Sequence, residues 1–250
     1  MSRMSDANKQ PGVMITGAAK RLGATVATHV ASQGRDLCLH YHRSGDAAET
    51  LADTLRRAHG VQVILKQADL ADPAALADFW AGLPACDTLI LNAATYERDS
   101  LADMQPATLR HQLAVNLESP LVLAQGFMAQ LPAGASGSIS ILGDGTLGWS
   151  VSPHFFSYAV SKHAWASVIE LLAAAVAPRA RANLIALAPT LPNPGEDDMF
   201  LRLADRAPLK RTGSPEELLA ALDYLQAAPG VTGQVLSLAN GMHLAPARPA

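Results

Sequence analysis

Tyr158 and Lys162 stand four residues apart in Tyr158-Ala159-Val160-Ser161-Lys162, a segment with helical periodicity. At i and i+4 two side chains share one helix face, so the ammonium can lower the phenol's pKa from ~10 toward working pH. A phenol so placed is a general acid. The spacing alone is common on solvated helix faces. It gains meaning from a glycine turn upstream and from Asn92-Ala93-Ala94 after an apolar run.

That turn, Thr16-Gly17-Ala18-Ala19-Lys20-Arg21-Leu22-Gly23, leads from an apolar run into a helical segment. The free N–H groups and positive dipole end of such a helix suit a pyrophosphate, and Gly17 and Gly23 let backbone approach it. The turn departs from G-x-G-x-x-G: between Gly17 and Gly23 it carries Arg21, with Leu22 beside it, in place of a middle glycine. A tight turn without ligand is the alternative. The next apolar run ends in His40-Tyr41-His42-Arg43-Ser44, with no Asp or Glu. An acid there would accept from a ribose 2′-hydroxyl, whereas a cation accommodates a 2′-phosphate. Arg21 and Arg43 as a two-pronged clamp, with His42 and Ser44 as further donors, select NADP(H) over NAD(H). Asp69-Leu70 closes a third run, where the carboxylate can meet the adenine amino group or simply form a turn.

The elements that must hold these residues are seven apolar runs of strand length, 12–16, 37–41, 61–66, 88–91, 138–142, 183–188 and 234–238, alternating with helical segments. This pattern predicts an α/β fold: one doubly wound, Rossmann-type domain around a central parallel sheet of about seven strands. Ligands of open α/β sheets sit beyond the carboxyl ends of the strands, so the segments after residues 16, 41, 91, 142 and 188 should converge. A loose tail over 1–11, a catalytic domain over 12–250 and a substrate loop near 190–208 are expected. Met199 and Phe200 in that loop suggest a small helical lid.

Of 250 residues, 49% are apolar and 16% charged, enough for a large core. A net charge of −3 provides no positive field for nucleic acid or anionic lipid. Cys38 and Cys86 lack ligand-like spacing, so no metal site is expected and a reducing compartment is favoured. The opening residues lack a signal's apolar run, and 168–176 is too short to cross a bilayer and reads as a buried helix, which points to the cytoplasm. Trp149, His154, Phe155 and Phe156 can wall a pocket or simply pack. Trp165, Val168 and Leu172 form an apolar stripe.

From residue 12 to the last strand the chain resembles the short-chain dehydrogenase/reductase family, through Thr16-Gly17, Asn92-Ala93-Ala94, Asn116, Tyr158/Lys162 and Asn240-Gly241. The stretches TGAAKRLG, LHYHRS and NAATY are similar to those of pteridine reductases and bacterial dihydromonapterin reductases. The resemblance implies NADP(H), a small-molecule substrate that is a pterin, a homotetramer, a nicotinamide lying near Asn92 and Lys162, and Ala93 and Pro189 as further cofactor-binding residues. It implies a pterin gripped by Tyr96, and a water held by Asn116; a cap on a neighbouring carbonyl is the other reading of Asn116. Most family members place a serine about 13 residues before the tyrosine, which here gives Gly145. One extra residue makes it Asp144, the residue type that pteridine reductases use, so Asp144 joins Tyr158, Lys162 and Asn116 as catalytic. Ala94 lacks a hydroxyl found in pteridine reductases, and Pro189-Thr190 replaces the usual Pro-Gly. Reduction of a 3-oxoacyl thioester or another ketone, and a non-catalytic NADP(H) sensor, are the alternatives.

Overall fold

The computed structural model describes residues 12–145, 154–192 and 197–244. The expected tail, Trp149 and residues 193–196 of the expected substrate loop lie outside them. Seven strands, β1 (Gly12–Ile15), β2 (Leu37–Tyr41), β3 (Val63–Gln67), β4 (Cys86–Leu91), β5 (Gly137–Asp144), β6 (Ala180–Leu187) and β7 (Val235–Leu238), form one parallel sheet in the order β3-β2-β1-β4-β5-β6-β7. Helices α1 (Arg21–Ser32), α2 (Gly45–His59), α3 (Pro106–Leu113), α4 (Ser119–Gln130), α5 (Phe156–His163), α6 (Trp165–Val176), α7 (Asp197–Arg206) and α8 (Pro215–Ala227) connect them. The strands read as near-continuous apolar runs because both faces are covered. Met14, Leu89, Ile139 and Leu184 pack with Phe127 and Trp165 on one side, and Val13, Ile15, Ile90 and Ile185 with Val26, Leu55 and Leu218 on the other.

β5 and β6 extend beyond their apolar cores, because paired backbone continues the ladder where side chains turn polar. Gly143 permits this: a Cβ there would lie 2.7 Å from Leu184 Cδ1. Asp144 is thereby carried inside β5, opposite Leu187. The expected buried helix over 168–176 is only half right. α6 buries one stripe, Trp165, Ile169, Ala173 and Val176, against the sheet, and leaves Leu171 70% exposed. With α5 it makes a 21-residue helical stretch apolar enough to span a bilayer by composition alone, yet its buried stripe is occupied by core contacts. Cys38 and Cys86 are buried free thiols with sulfurs 3.9 Å apart, and among the described residues no cluster of metal-ligating side chains occurs.

Strand order reverses between β1 and β4, so the loops leaving these two strands diverge and open a crevice.

Candidate active site

The crevice holds a cavity of about 640 Å³ whose wall includes Gly17, Gly23, Arg43, Asn92, Val115 and Thr190, a size common for small-molecule sites. Its floor is locked by Thr16, whose hydroxyl accepts from the N–H groups of Asn92 (2.9 Å) and Ala93 (3.0 Å). Asn92 returns its side-chain amide to the carbonyls of Thr16 and Gly17, at 2.9 and 3.1 Å. Gly17 has φ +62° and Gly23 leaves no room for a Cβ, which would stand 2.2 Å from Gly17 O. The residue preceding α1, Lys20, offers no side-chain cap. The first-turn N–H groups therefore remain available to an anion in the cavity, as a pyrophosphate needs.

The Gly17 N–H donates to His40 Nδ1 at 3.1 Å, while Nε2 of the same ring bonds Ala68 O at 3.2 Å. The partners assign the neutral tautomer with the proton on Nε2. Burial first, then the neighbouring His42, holds the imidazole down at about 4 against 6.5, outweighing the Ala68 carbonyl and Asp69, which pull it up. A depressed histidine pKa means that the unfolded chain binds the extra proton between these values, so stability present above pH 6.5 is lost as pH falls toward 4. The expected loss is roughly 3 kcal/mol, from the shift to about 4. Urea unfolding of wild type at pH 7 and pH 4.5 should show a drop that shrinks in His40→Gln; equal drops in both proteins would refute it.

At the end of β2, His42, Arg43 and Ser44 stand on the cavity wall, and His42 Nε2 is 3.5 Å from the Asp69 carboxylate. Asp69 also accepts from Ala71 N at 2.9 Å, a turn bond, and Leu70 lies beside it on the wall. Arg21 and Leu22 are on the wall too, but Arg21 forms no pair with Arg43. At φ +54° its guanidinium crosses the crevice to the carbonyls of Leu191 and Pro192, both at 3.1 Å, because α1 begins facing the end of β6. The expected two-pronged clamp is therefore not assembled. At β6 the wall is made by Ala188, Thr190 and Leu191 rather than Pro189, whose carbonyl accepts from Gly213 N at 3.0 Å. Lys20, His111 and Val115, which sequence reasoning did not single out, complete the wall.

Asp144, Tyr158, Lys162 and Tyr96 form a second cluster at the carboxyl end of β5, outside that wall. Tyr158 O–H donates to Asp144 Oδ2 at 2.7 Å, so the strand end presents Asp144 rather than Gly145 to the phenol. Buried Lys162 donates to Leu142 O at 3.3 Å and lies 6.0 Å from the Tyr158 ring centroid. The expectation that Lys162 lowers the phenol's pKa is overturned: burial first, then the Asp144 charge and hydrogen bond, push Tyr158 well above its ordinary value. Burial also lowers the Lys162 ammonium to about 8, against the opposing pull of Asp144. The pair shares a helix face, but desolvation and a carboxylate reverse the sign of the shift.

Tyr96 is 54% exposed, stacks on Phe155 with centroids 4.3 Å apart and 12° between planes, and meets the Tyr158 ring edgewise at 4.7 Å. Asn116 sits in a π-helical turn (Ala114–Glu118) and is buried. It accepts from Thr95 N at 2.8 Å and donates to Thr95 O (3.0 Å) and Ser161 Oγ (2.9 Å), while its own carbonyl accepts from the Trp165 indole at 2.8 Å. These are the bonds of a cap joining the Tyr96 loop to α5. Sequence reasoning passed over Asp99, which is 7% exposed and accepts from Ser157 N at 3.0 Å across 58 residues, a separation that leaves no local signal.

Residues 17–243 match the family model described as enoyl-(acyl carrier protein) reductase. The structure superposes with TM-score 0.87 on FolM alternative dihydrofolate reductase 1 from Brucella canis, complexed with NADP, at 31% identity over 97% of each chain. Pteridine reductase 1 from Leishmania tarentolae is 44% identical over 71 residues, 28% of this chain and 25% of that one. The 3-oxoacyl-[acyl-carrier-protein] reductase FabG of Staphylococcus epidermidis is 23% identical over 92% of this chain and 98% of its own length. A seven-stranded parallel sheet, a glycine turn at its switch point and a tyrosine and lysine one helical turn apart accompany these likenesses, and the chain belongs to the short-chain dehydrogenase/reductase family of oxidoreductases.

Proposed function

We propose that this chain is an NADPH-dependent reductase that converts a dihydropterin to a tetrahydropterin. The observation that carries this reading is the Tyr158–Asp144 hydrogen bond of 2.7 Å at the end of β5: a carboxylate stands where carbonyl reducers of this family, by resemblance, place a hydroxyl. Half-exposed Tyr96 beside it, stacked on Phe155, offers an aromatic surface suited to a flat bicycle. The NADP complex of the Brucella relative supports the cofactor assignment.

Gly17, Gly23, Asn92 and Ala93 would shape the dinucleotide cradle, with Arg43, His42 and Ser44 at its 2′-phosphate end and Asp69 and Leu70 beside the adenine. When bound, a reduced nicotinamide supplies hydride to the pterin carbon. Tyr158 donates the proton that the adjacent ring nitrogen must gain; its raised pKa keeps the phenol protonated at neutral pH. The Lys162 ammonium opposes the negative charge then left on the phenol oxygen. Tyr96, backed by Phe155, holds the ring in plane. The exposed face of α6, with Leu171 70% exposed, is proposed as a contact between copies in a homotetramer, and the cytoplasm as the place of action.

The test follows NADPH absorbance with dihydrobiopterin, dihydromonapterin, dihydrofolate and an acetoacetyl thioester side by side. Turnover of a dihydropterin supports the reading. Turnover of the thioester alone would establish instead the ketone-reducing alternative, which the likeness to the 3-oxoacyl reductase favours.

A further inference from the structure

Helix α5, which carries Tyr158 and Lys162, has no cap of its own. The residue before it, Phe155, offers no side-chain acceptor to the first turn. A helix start leaves N–H groups unsatisfied and presents a positive dipole end, so a buried start requires an acceptor from elsewhere. Asp99, in the loop between β4 and α3, supplies it. Its carboxylate accepts from the backbone N–H of Ser157 at 3.0 Å and from the Ser157 hydroxyl, and both residues are buried. The main chain docks as well: Asp99 N–H donates to His154 O and Phe156 N–H donates to Asp99 O, each at 3.2 Å, flanking a parallel bridge between Asp99 and Phe155. Three residues upstream in the same loop, Tyr96 stacks on Phe155 and touches the edge of Tyr158. One carboxylate thus sits where the aromatic platform and the start of the phenol's helix are joined.

From this geometry we infer that Asp99 is a positioning residue for the Tyr158 proton donor, holding the first turn of α5 so that the phenol meets Asp144 and the Tyr96–Phe155 stack in one orientation. The inference rests on the role proposed above for Tyr158. Among the described residues, Asp144, Lys162 and Tyr96 are the titratable groups that face the phenol. Asp144 and burial hold its proton on, so a helix start that loosens should let the phenol ionise at lower pH.

The experiment compares full-length wild type with Asp99→Ala, Asp99→Asn and Ser157→Ala. Its readouts are amide hydrogen exchange, tyrosinate absorbance taken as a difference against Tyr158→Phe, and dihydropterin turnover. In Asp99→Ala, exchange in the first turn of α5 should rise about tenfold or more while amides of β1 and β4 keep their protection. Tyr158 should titrate at lower pH, and kcat should fall about tenfold with the KM for NADPH within about a factor of two. Asp99→Asn keeps an oxygen for the Ser157 N–H and should recover most of each loss. Ser157→Ala removes only the hydroxyl bond and should move all three readouts the same way by less; it decides the matter if Asp99→Ala does not fold. Unchanged exchange and titration in Asp99→Ala overturn the inference. So does equal damage from Asn and Ala, or a rise in exchange throughout the sheet. If exchange and titration shift as expected while wild type turns over no pterin, the positioning role stands and the pterin reading falls.

Discussion

Replacing Tyr158 with Phe is expected to lower kcat/KM for NADPH-driven reduction by about 10²- to 10⁴-fold, the usual contribution of a placed general acid. NADPH affinity should stay within about a factor of two, because the lost oxygen touches no residue of the dinucleotide cradle. The substitution keeps the ring, so its edge contact with Tyr96 and its burial persist and only the proton and the bond to Asp144 disappear. The pH profile provides a second reading of the same site. Burial lowers Lys162 to about 8, so its ammonium is present below that pH and lost above it. If that charge opposes the developing phenolate, the wild-type rate should fall as pH rises through about 8. In Lys162→Arg the fall should move to higher pH, since a guanidinium stays charged. Full activity in Tyr158→Phe would remove the phenol from the mechanism, and a flat profile across pH 8 would remove the ammonium.

Arg43→Ala should weaken NADPH binding roughly ten- to a hundredfold, the loss of a charge-assisted contact of about 1.5–3 kcal/mol. NADH binding should scarcely change. Arg43 is expected to carry more of this contact than sequence alone suggests, because Arg21 has its guanidinium on the carbonyls of Leu191 and Pro192, while Arg43 stands with His42 and Ser44 on the wall proposed for the 2′-phosphate. Arg21→Ala should accordingly affect NADPH and NADH alike. Fluorescence titration with the two dinucleotides separates these outcomes: equal weakening of both by Arg43→Ala would contradict its assignment to the 2′-phosphate.

The two arginines show where local reading ends. Both were legible as cations near a glycine turn and a strand end, yet their division of labour depends on where β6 brings residues 191 and 192. The same holds for β5. Its apolar run was plain, but Asp144 became a strand residue only because β6 pairs along the full length and Gly143 lets Leu184 pass. His40 was visible only as part of a basic strand end. In the fold it joins the glycine turn to the residue that follows β3, Ala68, through its two ring nitrogens, a role with no periodicity to announce it.

By itself, then, the amino-acid order determined what acts over one turn or one strand: alternating apolar periods that require a doubly wound sheet, glycines in the turn after the first strand, a phenol and an amine on one helix face, and no acid at the end of the second strand. Tertiary structure alone decided the partners that meet from distant segments, Thr16 with Asn92, Arg21 with Leu191 and Asp99 with Ser157. It also decided the direction in which Tyr158 and Lys162 titrate. Desolvation and long-range charge depend on everything packed around a group, and residue spacing along one helix carries only a small part of that surrounding.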